Sequence, residues 1–203
     1  MSGTIPAGLW SERDPQATRC LYAGWAETYD ADMAAGGMLG PTRVAAMLAR
    51  FVPDREALLW DFGCGTGLSG AALREAGYAR IRGYDISPEM VERARARGIY
   101  EAVELGAPDA PPPVPAEAGA VVACGSICIG AAPAALLGAV LGRMTPGAVL
   151  VTSYNDSTLA SAPYHDALRD LQTGGLARLE RLDYGPQLPA LGRGAAVLVL
   201  RRL

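Results

Sequence analysis

The segment Ala57-Leu-Leu-Trp-Asp-Phe-Gly-Cys-Gly-Thr-Gly67 constrains this chain more than any other. An apolar run ending in an acid reads as a buried strand over 57–62. The glycines that follow form a loop over 63–67. Leu68, Ala72, Leu73 and Ala76 then recur at helical spacing up to Gly77, which predicts a helix over 66–77. The alternation continues. Further strands are predicted over 81–86, 100–105, 118–123 and 148–153. Ser87 reads as an N-cap with Pro88 at the first helical position of a helix ending near Arg97, and 134–143 is helical before Thr145-Pro146-Gly147. Nearly continuous apolar strands separated by single helices indicate a parallel sheet covered on both faces.

Both ends of the chain differ from this pattern. A helix over 157–171 stops at Gly174-Gly175. Residues 176–184 alternate and 195–202 are apolar, with no helix between them, so they are expected to pair as an antiparallel hairpin at one edge. The first 56 residues read as helices over 15–29 and 41–51, joined by a glycine-rich stretch at 35–40. The expectation is one domain over 1–203. It has a helical cap, 1–56, on a doubly wound, mostly parallel α/β core, 57–203.

Charge and cysteine usage narrow the function classes. The net charge is −3, every basic residue is Arg, and the densest basic face is Arg93, Arg95 and Arg97. Nucleic-acid binding normally needs a basic stripe, so no nucleic-acid partner is expected. Met1 to Trp10 lacks the pattern of a signal peptide, and glycines and Pro133 interrupt the most apolar stretch, 118–135. A cytoplasmic protein with no membrane partner is expected. Cys20, Cys64, Cys124 and Cys128 include no C-x-x-C pair, and His165 is the only histidine. The expectation is free thiols and no metal.

The chemistry is carried by the glycine loop and two acids. In an open parallel sheet, ligands bind at the carboxyl ends of the strands, beside this first turn. Asp85 ends the next strand about twenty residues beyond the loop, where a carboxylate accepts both hydroxyls of a ribose. Gly65, Gly67 and Gly70 satisfy the dinucleotide pattern G-x-G-x-x-G. However, a pyrophosphate on that loop would face Asp61 at its mouth. S-adenosylmethionine carries an ammonium and a sulfonium and no phosphate, so the acid favours it. The register agrees, because Gly65 stands too far beyond the strand for the first dinucleotide glycine.

Asp61-Phe-Gly-Cys-Gly-Thr-Gly67 and Gly83-Tyr-Asp85-Ile-Ser-Pro-Glu-Met90 resemble motifs of class I S-adenosylmethionine-dependent methyltransferases. The order of elements is similar to that family's seven-stranded sheet. Trp25-Ala-Glu-Thr-Tyr29-Asp30, Leu68-Ser-Gly70, Met90 and Gly98-Ile-Tyr100 resemble the methyltransferase-like group that includes the protein from the Williams–Beuren chromosome region. The resemblance implies that Asp61 binds the methionine amino group through water. It implies that Gly63, Cys64 and Gly65 line the methionine and ribose moiety. Asp85 would take the ribose hydroxyls, Ile86 would pack on adenine, Met90 would close that pocket, and Cys124 would stand near the methyl group. Three positions depart from the pattern. Ala107 stands near where relatives carry an acid for adenine, with Asp109 two residues later. Gly119 replaces an acid, and 128–133 lacks the usual His and Thr.

Methyl transfer is an in-line displacement in which positioning supplies much of the catalysis, so no triad is expected. Tyr22, Trp25 and Tyr29 share one face of the first helix, suited to core packing or to a lid over the cofactor. Tyr29 and His165 are candidates for a catalytic role, and Trp25, Tyr154 and Asn155 for contact with the acceptor. For Asn155 a capped turn is the alternative, and for His165 a surface position. The expected function is transfer of a methyl group from S-adenosylmethionine to a small-molecule acceptor. The alternatives are a cyclase or lyase using the same cofactor, or a non-catalytic binding module. Calorimetry is expected to show binding of S-adenosylmethionine and adenosylhomocysteine and none of NAD; the reverse result would overturn the reading of Asp61.

Overall fold

The computed structural model describes residues 5–108, 110 and 112–203; the expectation for Asp109 lies outside them. Seven strands form one sheet: β1 (Leu59–Phe62), β2 (Ile81–Asp85), β3 (Ala102–Leu105), β4 (Ala120–Ala123), β5 (Val149–Asn155), β6 (Ala177–Leu188) and β7 (Arg193–Arg202). Their spatial order is β3-β2-β1-β4-β5-β7-β6. The first five are parallel, and β7 runs antiparallel to both β5 and β6. The doubly wound fold with its late hairpin is therefore present as expected. The chain order reverses between β1 and β4, whose carboxyl ends separate to leave the crevice that such sheets use for ligands.

Strand alternation divides the core. Leu59 packs with Ile81, Val122 and Val151 under α3 (Gly40–Phe51) and α4 (Leu68–Glu75), supplied by Val44, Leu48 and Leu73. Trp60 points the other way, with Val121 and Leu150, against Leu137 and Leu141 of α6 (Ala135–Leu141) and Leu168 of α8 (Ala162–Thr173). Both faces of β1, β4 and β5 are fully buried, which is why those strands carry continuous apolar runs. Ser87 caps α5 (Pro88–Ala96) as expected, its hydroxyl accepting from Met90 N.

Two predicted helices are broken. The expected helix over 15–29 divides into α1 (Pro15–Trp25) and α2 (Tyr29–Ala35). The break brings Trp25 Nε1 within 2.7 Å of the buried Asp32 carboxylate, which accepts its proton. In one straight helix those residues would stand two turns apart. The expected helix over 157–171 divides into the short α7 (Asp156–Leu159) and α8, because Pro163 is tolerated only in a first turn. β5 extends to Asn155 and β6 to Leu188, further than alternation indicated.

The long hairpin is held by Arg43 of α3. Its guanidinium, largely buried, donates to the carbonyl oxygens of Gly185 (3.0 Å), Ala195 (2.8 Å) and Asp183 (2.8 Å) where the β6–β7 register shifts. Beyond the shift, Gln187 O accepts from Leu39 N at 2.8 Å, and Leu188 enters a cluster with Trp25 and Met33. The hairpin thereby ties the N-terminal cap to the sheet. Arg43→Met is expected to cost about 2–3 kcal/mol, since it strands several carbonyls that a charged donor satisfies. Urea denaturation followed by circular dichroism measures it, and an unchanged midpoint would contradict that role.

Candidate functional site

The crevice at the reversal point holds a cavity of about 1040 Å³ counting its open mouth. Its floor is the turn after β1. Gly63, Gly65 and Gly67 have φ of +68°, +55° and +92°, values that glycine alone adopts at no cost. Gly63 N and Cys64 N donate to Tyr84 O at 2.8 and 3.0 Å, so the turn folds back over the end of β2. Asp85 locks it there: Oδ2 accepts from Gly65 N and Oδ1 from Ser87 N, each at 2.9 Å. Burial pushes the Asp85 pKa up, and these two N–H groups oppose the shift. A carboxylate has about four acceptor positions, so two remain, and the side chain lines the cavity.

Asp61 is fully buried behind the turn and does not line the cavity. Its Oδ2 accepts from Ser69 Oγ and Tyr100 Oη, both at 2.7 Å, while Oδ1 has no partner among the described residues. Burial pushes its pKa up to about 6, against the pull of those two hydroxyls. Tyr100 is the residue that sequence reasoning missed. The signal lay in the glycines: a Cβ on Gly70 would collide with the Tyr100 hydroxyl, and one on Gly83 would stand 3.2 Å from its ring. Gly70, which completed the dinucleotide pattern, makes room for this tyrosine.

The other expected site residues divide into three groups. Tyr29, Gly63, Gly65, Asp85, Ile86, Met90 and Cys124 line the cavity, as do Tyr22 and Ala107. Cys124 begins a wall in which Gly125 N donates to Ser153 Oγ and Ser126 Oγ donates to Phe62 O. Trp25 and Asn155 instead line a second cavity that adjoins the first at Tyr22, Tyr29, Cys124 and Gly125. Asn155 also caps α7, its Oδ1 accepting from Thr158 N at 2.9 Å. Cys64, Tyr154 and His165 line neither cavity. Cys64 packs on Val91, Ala94 and Val103 beneath the turn. Tyr154 is 1% exposed and stacks edge-on against Tyr164, because β5 alternation turns it into the core. His165 lies exposed on α8. These placements correct the expectations of cofactor, acceptor and catalytic roles for those three.

The cap forms the roof. Tyr22, Trp25 and Tyr29 pack together although the helix breaks between them, with Trp25 and Tyr29 centroids 4.7 Å apart. Asp30 at the start of α2 accepts from Thr66 Oγ1 at 2.5 Å and pairs with Arg97, which also donates to Thr66 O at 2.6 Å. Thr18 Oγ1 donates to Ala131 O at 3.1 Å on the opposite rim. Among the described residues, no group of three or more His, Cys, Asp or Glu is placed to hold a metal, and no helix is long and apolar enough to cross a membrane.

Residues 59–147 match the family model described as methyltransferase domain. The matched stretch is less than half of the chain. It contains the glycine turn, Asp85 and the wall at 124–126. Human methyltransferase-like protein 27 is 38% identical over 87 residues, 42% of this chain and 36% of that protein. Ribosomal protein L11 methyltransferase of Aeromonas hydrophila is 40% identical over 67 residues, 31% of this chain and 23% of that protein. The matches thus span about a third or less of these relatives' own lengths. Magnesium protoporphyrin IX methyltransferase of Synechocystis, solved with bound SAH, superposes with a TM-score of 0.70 at 16% identity, covering 94% of this chain and all of that one. The α/β fold, hairpin included, is thus the Rossmann-like fold of that methyltransferase.

The buried carboxyl of Asp61 generates a pH dependence. Its folded pKa, about 6, lies above the usual 3.8, so the folded state holds the proton more tightly between those values. Stability is expected to fall as pH rises from about 4 to about 6 and then to level, by roughly 3 kcal/mol at most for this group. Asp61→Asn is expected to flatten that decline in urea titrations. An unchanged profile would mean that Asp61 is ionised throughout.

Proposed function

We propose that this chain transfers a methyl group from S-adenosylmethionine to a small-molecule acceptor, as a cytoplasmic enzyme of the class I kind. Within that class we place it beside the methyltransferase-like group of the Williams–Beuren region, a reading that the match to human methyltransferase-like protein 27 supports. The observation that carries the proposal is Asp85. Its carboxylate is held by the backbone N–H groups of Gly65 and Ser87 at the reversal point, and the side chain lines the cavity.

The residues present fit the cofactor. Asp85 would take the ribose hydroxyls. Ile86, Met90 and Ala107 offer an apolar wall to adenine. Gly63 and Gly65 expose backbone where the methionine moiety would lie, and a Cβ on Gly65 would meet nothing within 4 Å. The unpartnered Oδ1 of Asp61 stands behind this turn and adds the negative potential that a cationic ligand needs. When bound, S-adenosylmethionine supplies a methyl group on a cationic sulfur that is already an activated leaving group.

The chain's own contribution is positioning and exclusion of water. Tyr22 and Tyr29 cover the cavity from the cap, and Cys124 and Gly125 form the facing wall. Burial raises the Tyr29 pKa well above its ordinary value, so its phenol stays protonated and serves as a donor and a cover. With His165 exposed and Tyr29 protonated, neither residue serves as a base at neutral pH.

Asp85→Ala is expected to weaken adenosylhomocysteine binding about a hundredfold or more by calorimetry, since two charge-assisted hydrogen bonds are lost. Asp85 also anchors the turn, so Asp85→Asn, which keeps an acceptor for Gly65 N, is expected to fold and still bind weakly. Turnover is expected to yield adenosylhomocysteine by mass spectrometry. Methylthioadenosine instead would indicate cyclase or lyase chemistry, and wild-type affinity in both variants would remove Asp85 from the site.

A further inference from the structure

The glycine turn has a second fastening besides Asp85. Thr66, 1% exposed, has both its hydroxyl and its carbonyl oxygen engaged by distant residues. Its Oγ1 donates to Asp30 Oδ1 at 2.5 Å, and its carbonyl oxygen accepts from Arg97 Nε at 2.6 Å. Arg97 also pairs with Asp30 Oδ2, which closes a cycle of contacts among the three. They come from the cap, the turn and the end of α5, and stand 36, 31 and 67 residues apart along the chain. Gly67 makes the cycle possible, since a Cβ there would stand 2.8 Å from Arg97 Cδ. The basic face noted in the sequence is thus partly spent inside the fold, with Arg95 on Val103 O and Arg97 on Thr66 O.

The cycle joins two sides of one cavity. Taking the first cavity as the cofactor site, a reading on which this inference rests, Gly63 and Gly65 belong to its floor and Tyr29 to its roof. Thr66 follows Gly65 and Asp30 follows Tyr29, so floor and roof are tied at adjoining residues. Asp30, Thr66 and Arg97 do not line the cavity themselves, and they reach a ligand only through those neighbours. The Asp30 and Arg97 side chains are 48% and 28% exposed. An ion pair so open to solvent adds little to global stability and is screened by salt. Its effect is local. Three left-handed glycines leave the turn many alternative arrangements, and Asp85 restrains it from the β2 side only.

We infer that Asp30 and Arg97 are positioning residues for S-adenosylmethionine: through Thr66 they hold the glycine turn and Tyr29 together in the arrangement that receives it. By linkage, a ligand bound between turn and roof strengthens the cycle in return. When the cycle is opened, the receptive arrangement becomes a minor one, and the apparent affinity falls by the fraction lost.

Calorimetry with adenosylhomocysteine and urea denaturation test this on the wild type, Asp30→Ala, Asp30→Asn, Arg97→Met and the double variant Asp30→Ala with Arg97→Met. At low salt Asp30→Ala and Arg97→Met are each expected to bind about tenfold more weakly, and the double variant no worse than either. Asp30→Asn, which keeps an acceptor for Thr66 Oγ1, is expected to fall between them and the wild type. Raising the salt to about 0.5 M is expected to narrow the gap between wild type and variants. Urea midpoints are expected to stay near the wild-type value. Arg169→Ala, which removes an exposed ion pair on α8, is expected to change neither quantity. Wild-type affinity in the variants, or losses that add in the double variant, would overturn the positioning role and leave the cofactor reading standing. Midpoints that fall along with affinity, or variants that fail to fold, would make the cycle a structural clasp and overturn the positioning role equally. A wild type that binds no adenosylhomocysteine would overturn both readings.

Discussion

The site depends on one carboxylate joining two strand ends. Asp85 finishes β2, yet its oxygens hold the turn that follows β1 and the first turn of α5. A glycine turn with three left-handed residues has little conformational preference of its own, and ordering it is entropically costly. Two hydrogen bonds to a buried carboxylate, together with the fold-back onto Tyr84 O, offset that cost. The same side chain lines the crevice. The anchor of the turn and part of the cavity lining thus come from a single group.

A second carboxylate, Asp61, works at a different depth. It is sealed beneath the turn by Ser69 and Tyr100, and three glycines, Gly67, Gly70 and Gly83, clear a path for the tyrosine ring. Burial raises the pKa of both acids, and the charge of Asp85 raises that of Asp61 further. The resulting potential disfavours a pyrophosphate and favours a cation. The charge of the site is therefore a stricter constraint than the glycine pattern.

The roof is assembled from distant parts of the chain. α1 and α2 rest on the aromatic cluster, Asp30 reaches to Thr66 and Arg97, and the far end of β6 supplies Leu188 and Gln187. Arg43 keeps that end in place across the register shift. The second cavity exists because these pieces meet.

The strand–glycine–helix alternation, the switch from parallel strands to a hairpin, and the acids at 61 and 85 were legible in the sequence, because local spacing and chain order encode them directly. Side-chain roles that depend on direction were not. β5 continues two residues further than expected, which turns Tyr154 into the core and leaves Asn155 to cap α7. The break between α1 and α2 arises where Trp25 meets Asp32, a contact that helical periodicity across 15–29 does not anticipate. Tyr100 reaches Asp61 across 39 residues of chain, visible only as glycines whose absent Cβ atoms it needs. The sequence by itself determined the architecture and the charge of the cofactor site, since both follow from residue type at fixed spacing. Tertiary structure alone decided which side chains share a cavity, because that depends on where separate strands end and which way their last residues point.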